Sequence, residues 1–529
     1  MRPLGVELAA MLAARGVDTI FGIPGRHNIE LYRGIEDAGI RHILARHEQG
    51  AGFMADGYAR ATGKPGVAFV ISGPGLTNIM TAMGQAYSDS VPLLVISTVL
   101  DETAATRGQL HQMRDQEGAA RTVCDWSETA HSADAAYALV DRAFTEFETM
   151  RGRPKHIQIP IEVLSAPVPA PPAPRAEPVG GKLAPNPTDL TRVADRLKSA
   201  QKPLFIFGGG ARHVPRKQID DVLAKTGAAS FVTYNGRGVV DPETPNFLGS
   251  HIAAAGAKAF IGDADLVLAV GTELAHTDRW RPTLGAKAPI VRVDIDPEML
   301  AQCTGDDLAI RADSELFLRA LNVEHGREKA ASQWDAQTLA KTRARWTADV
   351  ALKHPEIVRI CLALRAALSP KTCIYSDMTQ FAYAAKEIWD MDIAGLWHHP
   401  VGFGTLGFAL PAAIGGAVSG GNTLAIAGDY GLQYTLQELG TASELGLSLP
   451  VIVWDNEALG EIRDNMIEAQ IAPNAVHAIN PKWDHLAAAY SCAYKAPKTI
   501  SELCDVTNAA FNEGRPTFIL VTPAISSSS

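Results

Sequence analysis

The sequence has few cysteines, few aromatic residues and no excess of positive charge. Its 529 residues include six cysteines, and none of them forms a CxxC pair or a zinc-type cluster. Scattered thiols are typical of a reducing compartment, so we expect a cytoplasmic protein. The net charge of −10 argues against nucleic-acid and anionic-membrane partners, because both reward basic surfaces. No apolar run reaches the roughly 18 residues that span a membrane, so we expect no membrane partner.

The sequence does contain short apolar runs that alternate with helical stretches. Runs such as GVAFVIS, LVLAVGT and TLAIAGD occur in three successive blocks. Strands that alternate with helices predict a parallel sheet covered on both faces. We therefore predict an α/β fold of three consecutive doubly wound parallel-sheet domains. The predicted parts are a first domain at 1–165, a linker rich in proline and alanine at 166–182, a central domain at 183–325, a helical linker at 326–352 and a third domain at 353–525.

Two strand ends in the third block carry oxygen ligands suited to a metal ion. One buried run, 424–427, is followed by Asp429, and a second run, 450–454, is followed by Asn456. In open α/β sheets, ligands bind at the carboxyl ends of the strands. A carboxylate, an amide and a backbone carbonyl suit Mg²⁺, which takes its remaining ligands from phosphate and water. The small residues beside Asp429 allow backbone N–H groups to approach a phosphate.

This pattern resembles the thiamine-diphosphate signature, in which GDG is followed by NN. Asn456 follows Asp429 by 27 residues, which fits that signature, whereas Tyr430 replaces its last Gly and Asp455 replaces its first Asn. An ordinary strand-turn-helix with a solvated Asp is the alternative explanation. The resemblance implies the following contacts: Asp429, Asn456 and the carbonyl of Ala458 for Mg²⁺, and Gly428, Tyr430 and Gly431 for the cofactor.

A second matching segment, RHEQGAGFMADGYARATGKPG, contains Glu48. The resemblance implies that such a glutamate comes from the partner subunit and bonds to N1′ of the aminopyrimidine, which promotes loss of the thiazolium C2 proton. A buried carboxyl group with a raised pKa is able to share that proton. The alternative is a helix N-terminal carboxylate that the helix dipole favours. The glycine-rich turn SGPGLTN, at 72–78, matches a segment that lines the active-site floor in related enzymes.

A third segment, VGFGTLGFALPAAIGG at 401–416, resembles the part of these enzymes that holds the cofactor bent. The resemblance implies that Leu406 lies between the two rings and that the Gly404 carbonyl accepts a hydrogen bond from the 4′-amino group. A core helix entry rich in small residues is the alternative. Thr379 and Gln380, just after the strand TCIYS, match positions that contact the diphosphate.

These matches cover nearly the whole chain in the order pyrimidine-binding, central and diphosphate-binding domain. That order is similar to acetolactate synthase, benzoylformate decarboxylase and pyruvate decarboxylase. The resemblance implies thiamine diphosphate and Mg²⁺ as cofactors and a homo-oligomer, at least a dimer and usually a tetramer, because the cofactor lies between two chains. Some relatives bind FAD in the central domain; the turn FGGGARH is a weak phosphate signal, and we do not favour FAD here.

The resemblance also implies a 2-oxo acid as the small-molecule substrate. His111 and Gln112 lie on a loop where related decarboxylases place a proton-transferring histidine, although a solvated loop histidine explains the pattern equally well. By alignment, Glu461, Ile462 and Asn465 face the substrate. A carboxylate in such a pocket is costly to bury without a partner, and a guanidinium matches it bidentately.

We therefore predict decarboxylation of a 2-oxo acid to an aldehyde and CO₂. The stretch 428–456 also resembles decarboxylases of 5-guanidino-2-oxopentanoate (2-ketoarginine), which favours a substrate with a basic side chain. Alternatively, Glu461 pairs with Arg26 or Arg463 and the substrate is neutral; Arg26 is also placed to reach the pocket mouth. The second candidate function is an acetolactate synthase-like carboligase, although Asp115 replaces a Phe of those enzymes.

Overall fold

The computed structural model describes residues 1–101, 108–175, 180–324 and 332–526. Within these residues it contains three parallel sheets of six, five and six strands and one two-stranded sheet. The predicted fold class, three consecutive parallel-sheet α/β domains, is confirmed. Parts of the two predicted linkers and the serine tail lie outside the described residues, and the predicted domain bounds stay a prediction. None of the described helices has the length and hydropathy needed to cross a membrane.

The first domain has the strand order β3-β2-β4-β5-β7-β6, with all neighbours parallel. A short antiparallel pair, β1 with β8, joins its two ends. Its strands are β1 (Arg2–Pro3), β2 (Thr19–Gly22), β3 (Arg41–Leu44), β4 (Gly66–Val70), β5 (Leu93–Val99), β6 (Trp126–Thr129), β7 (Lys155–Pro160) and β8 (Pro167–Val168). Its helices are α1 (Leu4–Ala14), α2 (Ile29–Tyr32), α3 (Glu48–Thr62), α4 (Pro74–Asp89), α5 (Gln116–Arg121), α6 (Ala133–Thr149) and α7 (Ile161–Ser165).

The central domain has the parallel order β10-β9-β11-β12-β13. Its strands are β9 (Pro203–Phe207), β10 (Ala229–Val232), β11 (Leu266–Val270), β12 (Ile290–Asp294) and β13 (Leu308–Arg311). Its helices are α8 (Pro187–Ser199), α9 (Arg216–Thr226), α10 (Ala257–Gly262), α11 (His276–Arg279), α12 (Pro297–Leu300) and α13 (Ser314–Glu324). Apolar clusters cover both faces of this sheet, as a doubly wound fold requires.

Helix α14 (Ala336–Lys353) leads into the third domain, whose parallel order is β15-β14-β16-β17-β19-β18. Its strands are β14 (Cys373–Ser376), β15 (Trp397–His398), β16 (Thr423–Gly428), β17 (Pro450–Trp454), β18 (Ala493–Lys495) and β19 (Thr517–Val521). Its helices are α15 (Pro355–Ala367), α16 (Gln380–Ile388), α17 (Ala409–Val418), α18 (Asp429–Leu432), α19 (Glu438–Glu444), α20 (Gly460–Glu468), α21 (Trp483–Ala489) and α22 (Ile500–Ala510).

The first and third domains share one hydrophobic core, in which α3 packs against α17. The two backbones touch at glycines: a Cβ on Gly57 would lie 2.0 Å from the Ala412 carbonyl oxygen, and one on Gly415 would lie 1.9 Å from that of Met54. Such distances leave no room for a side chain. The small residues of both helices therefore allow the first and third domains of one chain to pack closely against each other.

Candidate metal and cofactor site

A cavity of about 250 Å³ opens where β14, β16 and β17 end. It lies at the carboxyl edge of the third sheet, as the positions of the strand ends in the sequence predict. Most of the predicted cofactor, metal and substrate residues line it: Thr379, Gln380, Gly404, Leu406, Gly428, Asp429, Tyr430, Gly431, Asn456, Ala458, Glu461 and Ile462. The third domain thus brings residues from distant segments around one space.

Asp429 is the first residue of α18 and is buried among the strand ends. Its Oδ1 accepts the Tyr430 N–H at 2.9 Å, and its Oδ2 accepts Nδ2 of Asn480 at 2.7 Å. The same amide donates to Oδ1 of Asp455 at 2.8 Å. Burial raises the pKa of Asp429 to about 6, and the neighbouring Asp455 carboxylate acts in the same direction. A divalent cation beside Asp429 would stabilise the ionised form of this buried carboxylate.

Asn456 lies in a strained turn after β17. The next residue, Glu457, has a φ of 52°, a left-handed conformation that is uncommon for a residue with a side chain. The turn is held by a neighbouring segment, since Ala478 N donates to the Glu457 carbonyl at 3.1 Å and Leu459 N donates to the Val476 carbonyl at 2.8 Å. Strain held by its surroundings is typical of a functional position.

The side chain of Asn456 has a fixed orientation. Its Nδ2 donates to Oε1 of Gln380 at 3.2 Å, while its Oδ1 accepts the Ala458 N–H at 3.3 Å and retains a second lone pair. Gln380 is held in turn by Oδ2 of Asp464 at 3.0 Å. The oxygen atoms of Asn456 and Asp429 therefore fit a hard cation, and the cavity beside them has room for phosphate groups.

We expect Gly460→Ala to weaken Mg²⁺ binding by about tenfold, in the range found when the support of a metal ligand is disturbed. A Cβ on Gly460 would lie 2.5 Å from Gln380 Oε1 and 2.7 Å from Asn456 Nδ2, so the amide must move. Titration with Mg²⁺ checks this, with Gly181→Ala as the control, because a Cβ there meets nothing within 4 Å. Equal affinity in the two variants would contradict the assigned position of Asn456.

The loop that carries Leu406 is fixed at its neighbour Gly407. Asp377 Oδ2 accepts the Gly407 N–H at 2.9 Å, and Thr435 Oγ1 donates to its carbonyl at 2.8 Å. Burial raises the pKa of Asp377 to about 6. Asp377 itself does not line the cavity but holds the loop that places Leu406 there.

The first domain holds a separate group of predicted residues. Glu48 begins α3 and is half-buried, and its Oε2 accepts Nδ2 of Asn78 at 2.9 Å. Asn78 belongs to the turn and helix entry SGPGLTN. Glu48 does not line the cavity of its own third domain.

His111 is half-buried and packs against His27, with ring centroids 4.7 Å apart. Its Nδ1 is buried without a hydrogen-bond partner among the described residues, and its φ is 63°. His27 lies 2.6 Å from the Ser72 hydroxyl, and burial and then the nearby His111 lower the pKa of His27.

The other predicted substrate residues have different surroundings. Gln112 Oε1 accepts the Gln109 N–H at 3.4 Å, Arg26 is exposed, and Asn465 is exposed on α20 outside the cavity lining. Asp115, the departure from acetolactate synthases, caps α5 by accepting the Gly118 N–H at 2.7 Å.

Glu461 lines the cavity from the start of α20. Its Oε1 lies 3.6 Å from Lys353 Nζ, and its Oε2 is buried without a hydrogen-bond partner among the described residues. The alternative pairing with Arg463 is not observed, because Arg463 pairs with Asp464 at 3.0 Å. One oxygen of this carboxylate is therefore available to a donor that enters the cavity.

The sequence analysis missed Asn480 and His27, and it named the turn 72–78 without assigning a role to Asn78. Asn480 lies between α20 and α21 in a segment without a periodic pattern, so only the tertiary structure places it between Asp429 and Asp455. His27 follows Arg26 in GIPGRHN, and a histidine beside a candidate site residue could have indicated it.

Three family models match the chain: the thiamine pyrophosphate enzyme N-terminal TPP binding domain at 4–119, its central domain at 190–321 and its C-terminal TPP binding domain at 377–521. The chain is 42% identical over 520 residues to the probable 2-ketoarginine decarboxylase AruI of Pseudomonas aeruginosa, which covers 97% of this chain and 93% of that protein. It is 30% identical over 472 residues to the acetolactate synthase isozyme 2 large subunit of Escherichia coli, with 85% and 82% covered. It is 27% identical over 526 residues to the mitochondrial acetolactate synthase catalytic subunit of Saccharomyces cerevisiae, with 90% and 74% covered.

Proposed function

Because the chain belongs to the thiamine-pyrophosphate enzyme family, we propose that it decarboxylates a 2-oxo acid with a basic side chain, such as 2-ketoarginine. The family predicted from the sequence is confirmed. The observation that carries the substrate proposal is the Glu461 carboxylate, which lines the cavity with one buried oxygen lacking a described partner. Similarity to a probable 2-ketoarginine decarboxylase supports the same substrate.

We assign the metal to Asp429, Asn456 and the carbonyl of Ala458, and the diphosphate to the loop 428–431 with Thr379 and Gln380. The oxygen donors and the adjacent space support Mg²⁺ with diphosphate. When bound, thiamine diphosphate supplies the electron sink that decarboxylation requires. Leu406 and the Gly404 carbonyl would hold its two rings in place.

The chain's own groups supply proton transfer and orientation. Glu48 would hold a proton at N1′ of the pyrimidine, and Asn78 keeps its carboxylate in place. His111 would deliver a proton to the product carbon, and its buried Nδ1, which has no partner within the described part of the chain, supports this role. The guanidinium of the substrate would donate an N–H to Glu461 Oε2, the oxygen that lacks a partner among the described residues.

The proposed enzyme is a homo-oligomer, a dimer at least and a tetramer by family resemblance, located in the cytoplasm. The dimer is supported by the position of Glu48 and His111 outside the cavity lining of their own third domain. A second copy would bring these groups to the cavity. Flavin has no role in this proposal.

The test is activity after dialysis against a chelator, measured with and without added thiamine diphosphate and Mg²⁺. We expect activity only when both are restored. A substrate panel of 2-ketoarginine, phenylglyoxylate and pyruvate then addresses specificity, and absence of a preference for 2-ketoarginine would refute a basic substrate. With pyruvate, acetolactate rather than acetaldehyde as the product would favour the carboligase alternative.

We expect Glu461→Gln to lower kcat/KM for 2-ketoarginine by roughly 10- to 100-fold, because a hydrogen bond to a charged group contributes about 1.5–3 kcal/mol. The value for pyruvate, which has no cationic group, should change little. Glu468→Gln, an exposed position on the same helix, is the control. Equal losses of kcat/KM for both substrates would show that Glu461 does not recognise the basic side chain of the substrate.

A further inference from the structure

Glu438 is a fully buried carboxylate at the start of α19 that accepts hydrogen bonds from the first domain. Its two oxygens accept the Arg46 N–H at 3.1 Å each, and Oε1 also accepts the His47 N–H at 3.0 Å. Thr441 Oγ1, on its own helix, donates to Oε2 at 2.9 Å. Burial raises the pKa of Glu438 to about 7, while the backbone N–H donors act in the opposite direction.

These bonds fix the two residues that immediately precede Glu48. His47 caps α3, because its Nδ1 accepts the Gln49 N–H at 3.1 Å. Gly50, in the first turn of α3, leaves space for the carboxylate: a Cβ there would lie 2.2 Å from Glu438 Oε1. The backbone on both sides of Glu48 is therefore in contact with one carboxyl group of the third domain.

Glu438 lies shortly after the loop 428–431 in the sequence. Asp429 begins α18, Thr435 bonds to the Gly407 carbonyl beside Leu406, and the Glu438 N–H bonds to the Thr435 carbonyl at 3.0 Å. Residues 429–438 of the third domain thus include the proposed metal ligand and contact both the loop that carries Leu406 and the backbone around Glu48.

We infer that Glu438 is a positioning residue for Glu48, and that it holds the start of α3 where the Glu48 carboxylate meets the pyrimidine. This inference rests on the proposed role of Glu48. Asn78 fixes the carboxylate of Glu48, whereas Glu438 fixes its backbone, so the two contacts are complementary. A displacement of about 1 Å in an acid–base group costs up to about 100-fold in rate, which sets the size of the expected effect.

The test compares Glu438→Gln with Glu444→Gln. The control lies on the same helix and removes the ion pair with the Arg46 side chain but leaves the backbone bonds intact. In cofactor-free protein, we expect Glu438→Gln to speed amide hydrogen exchange in residues 45–50 by about tenfold or more. In the loaded enzyme, we expect C2-proton exchange to slow about 10- to 100-fold, with the cofactor Kd within about threefold of wild type. Glu438→Asp, which keeps the charge, should recover part of the rate.

Wild-type exchange in both measurements would overturn the inference, as would an equal effect of Glu444→Gln or a loss of cofactor affinity that matches the loss of rate. If Glu438→Gln does not fold, Gly50→Ala replaces it, because the added Cβ displaces the same carboxylate; wild-type rates there overturn the inference. Glu48→Gln is measured in parallel. If it keeps the wild-type C2 exchange rate, the proposed role of Glu48 fails; if it slows and Glu438→Gln does not, only the role of Glu438 fails.

Discussion

The Asp429→Asn variant is expected to bind Mg²⁺ at least about 100-fold more weakly and to lose its activity. Disturbing a side chain that merely supports a metal ligand already costs about 10- to 100-fold, and this change neutralises the charged ligand itself. The fold should persist, because an amide oxygen still accepts the Tyr430 or Asn480 donor. Calorimetric Mg²⁺ titration in the presence of thiamine diphosphate measures the effect.

Asp505→Asn, an exposed position on α22, is the matched control and should behave as wild type. Unchanged Mg²⁺ affinity in Asp429→Asn would refute the assignment of Asp429 as a metal ligand. A variant that fails to bind both metal and cofactor, yet unfolds at or above the temperature of the metal-free wild type, would support it.

The raised pKa of Asp429 adds a pH dependence to this prediction. Burial raises that pKa to about 6 in the metal-free protein, and Mg²⁺ requires the ionised form, so metal affinity should fall as the pH falls through about 6. In the metal-free protein, the pH dependence of folding stability has the opposite sign. Protonated Asp429 contributes stability below its unfolded pKa of about 3.9, and this contribution is lost as the pH rises through the folded value. Asp429→Asn should lose both dependences.

Glu48→Gln is expected to slow removal of the C2 proton by about 10²- to 10⁴-fold while the cofactor stays bound. General acid–base groups contribute rate factors of this size, and a neutral amide does not hold a proton at N1′. Its oxygen still accepts the Asn78 amide, so local structure should be preserved. Quenched-flow measurement of C2 hydrogen exchange, with cofactor affinity measured separately, checks both parts.

Glu36→Gln, at an exposed position of the first domain, provides the comparison for Glu48. Exchange rates that match between the two variants would refute the acid–base assignment. Loss of cofactor binding in Glu48→Gln would instead indicate a binding role.

The sequence predicted that Asp429 and Asn456 meet at one edge of a sheet, because strand ends are local features. Apolar runs identify β16 and β17, and parallel strands bring their carboxyl ends together, so Asp429 and Asn456 could be placed at one edge. The supporting network could not be predicted in this way. Asn480, Asn78 and Glu438 act through contacts between segments that are distant in the sequence, and nothing within their own segments indicates those partners.

The fold shows the same division between local and distant information. The central strands β4, β11 and β16 are continuous apolar runs and were predicted, whereas β3, β6, β13, β15 and β18 lie at sheet edges and were not. Edge strands such as β3, with the residues RHIL, are partly exposed and carry polar side chains. Short strands with one open side lack the composition that identifies a buried strand.

The glycine contact between α3 and α17 has a consequence for how the protein is made. The apolar surface of α3 lies early in the chain, and its partner helix is synthesised only near the end. The core of the nascent first domain is therefore incomplete until α17 has been synthesised. Until then, the apolar face of α3 stays exposed. Translation that stops before α17 would release a product prone to aggregation, so the cell's chaperones have a reason to engage the unfinished chain.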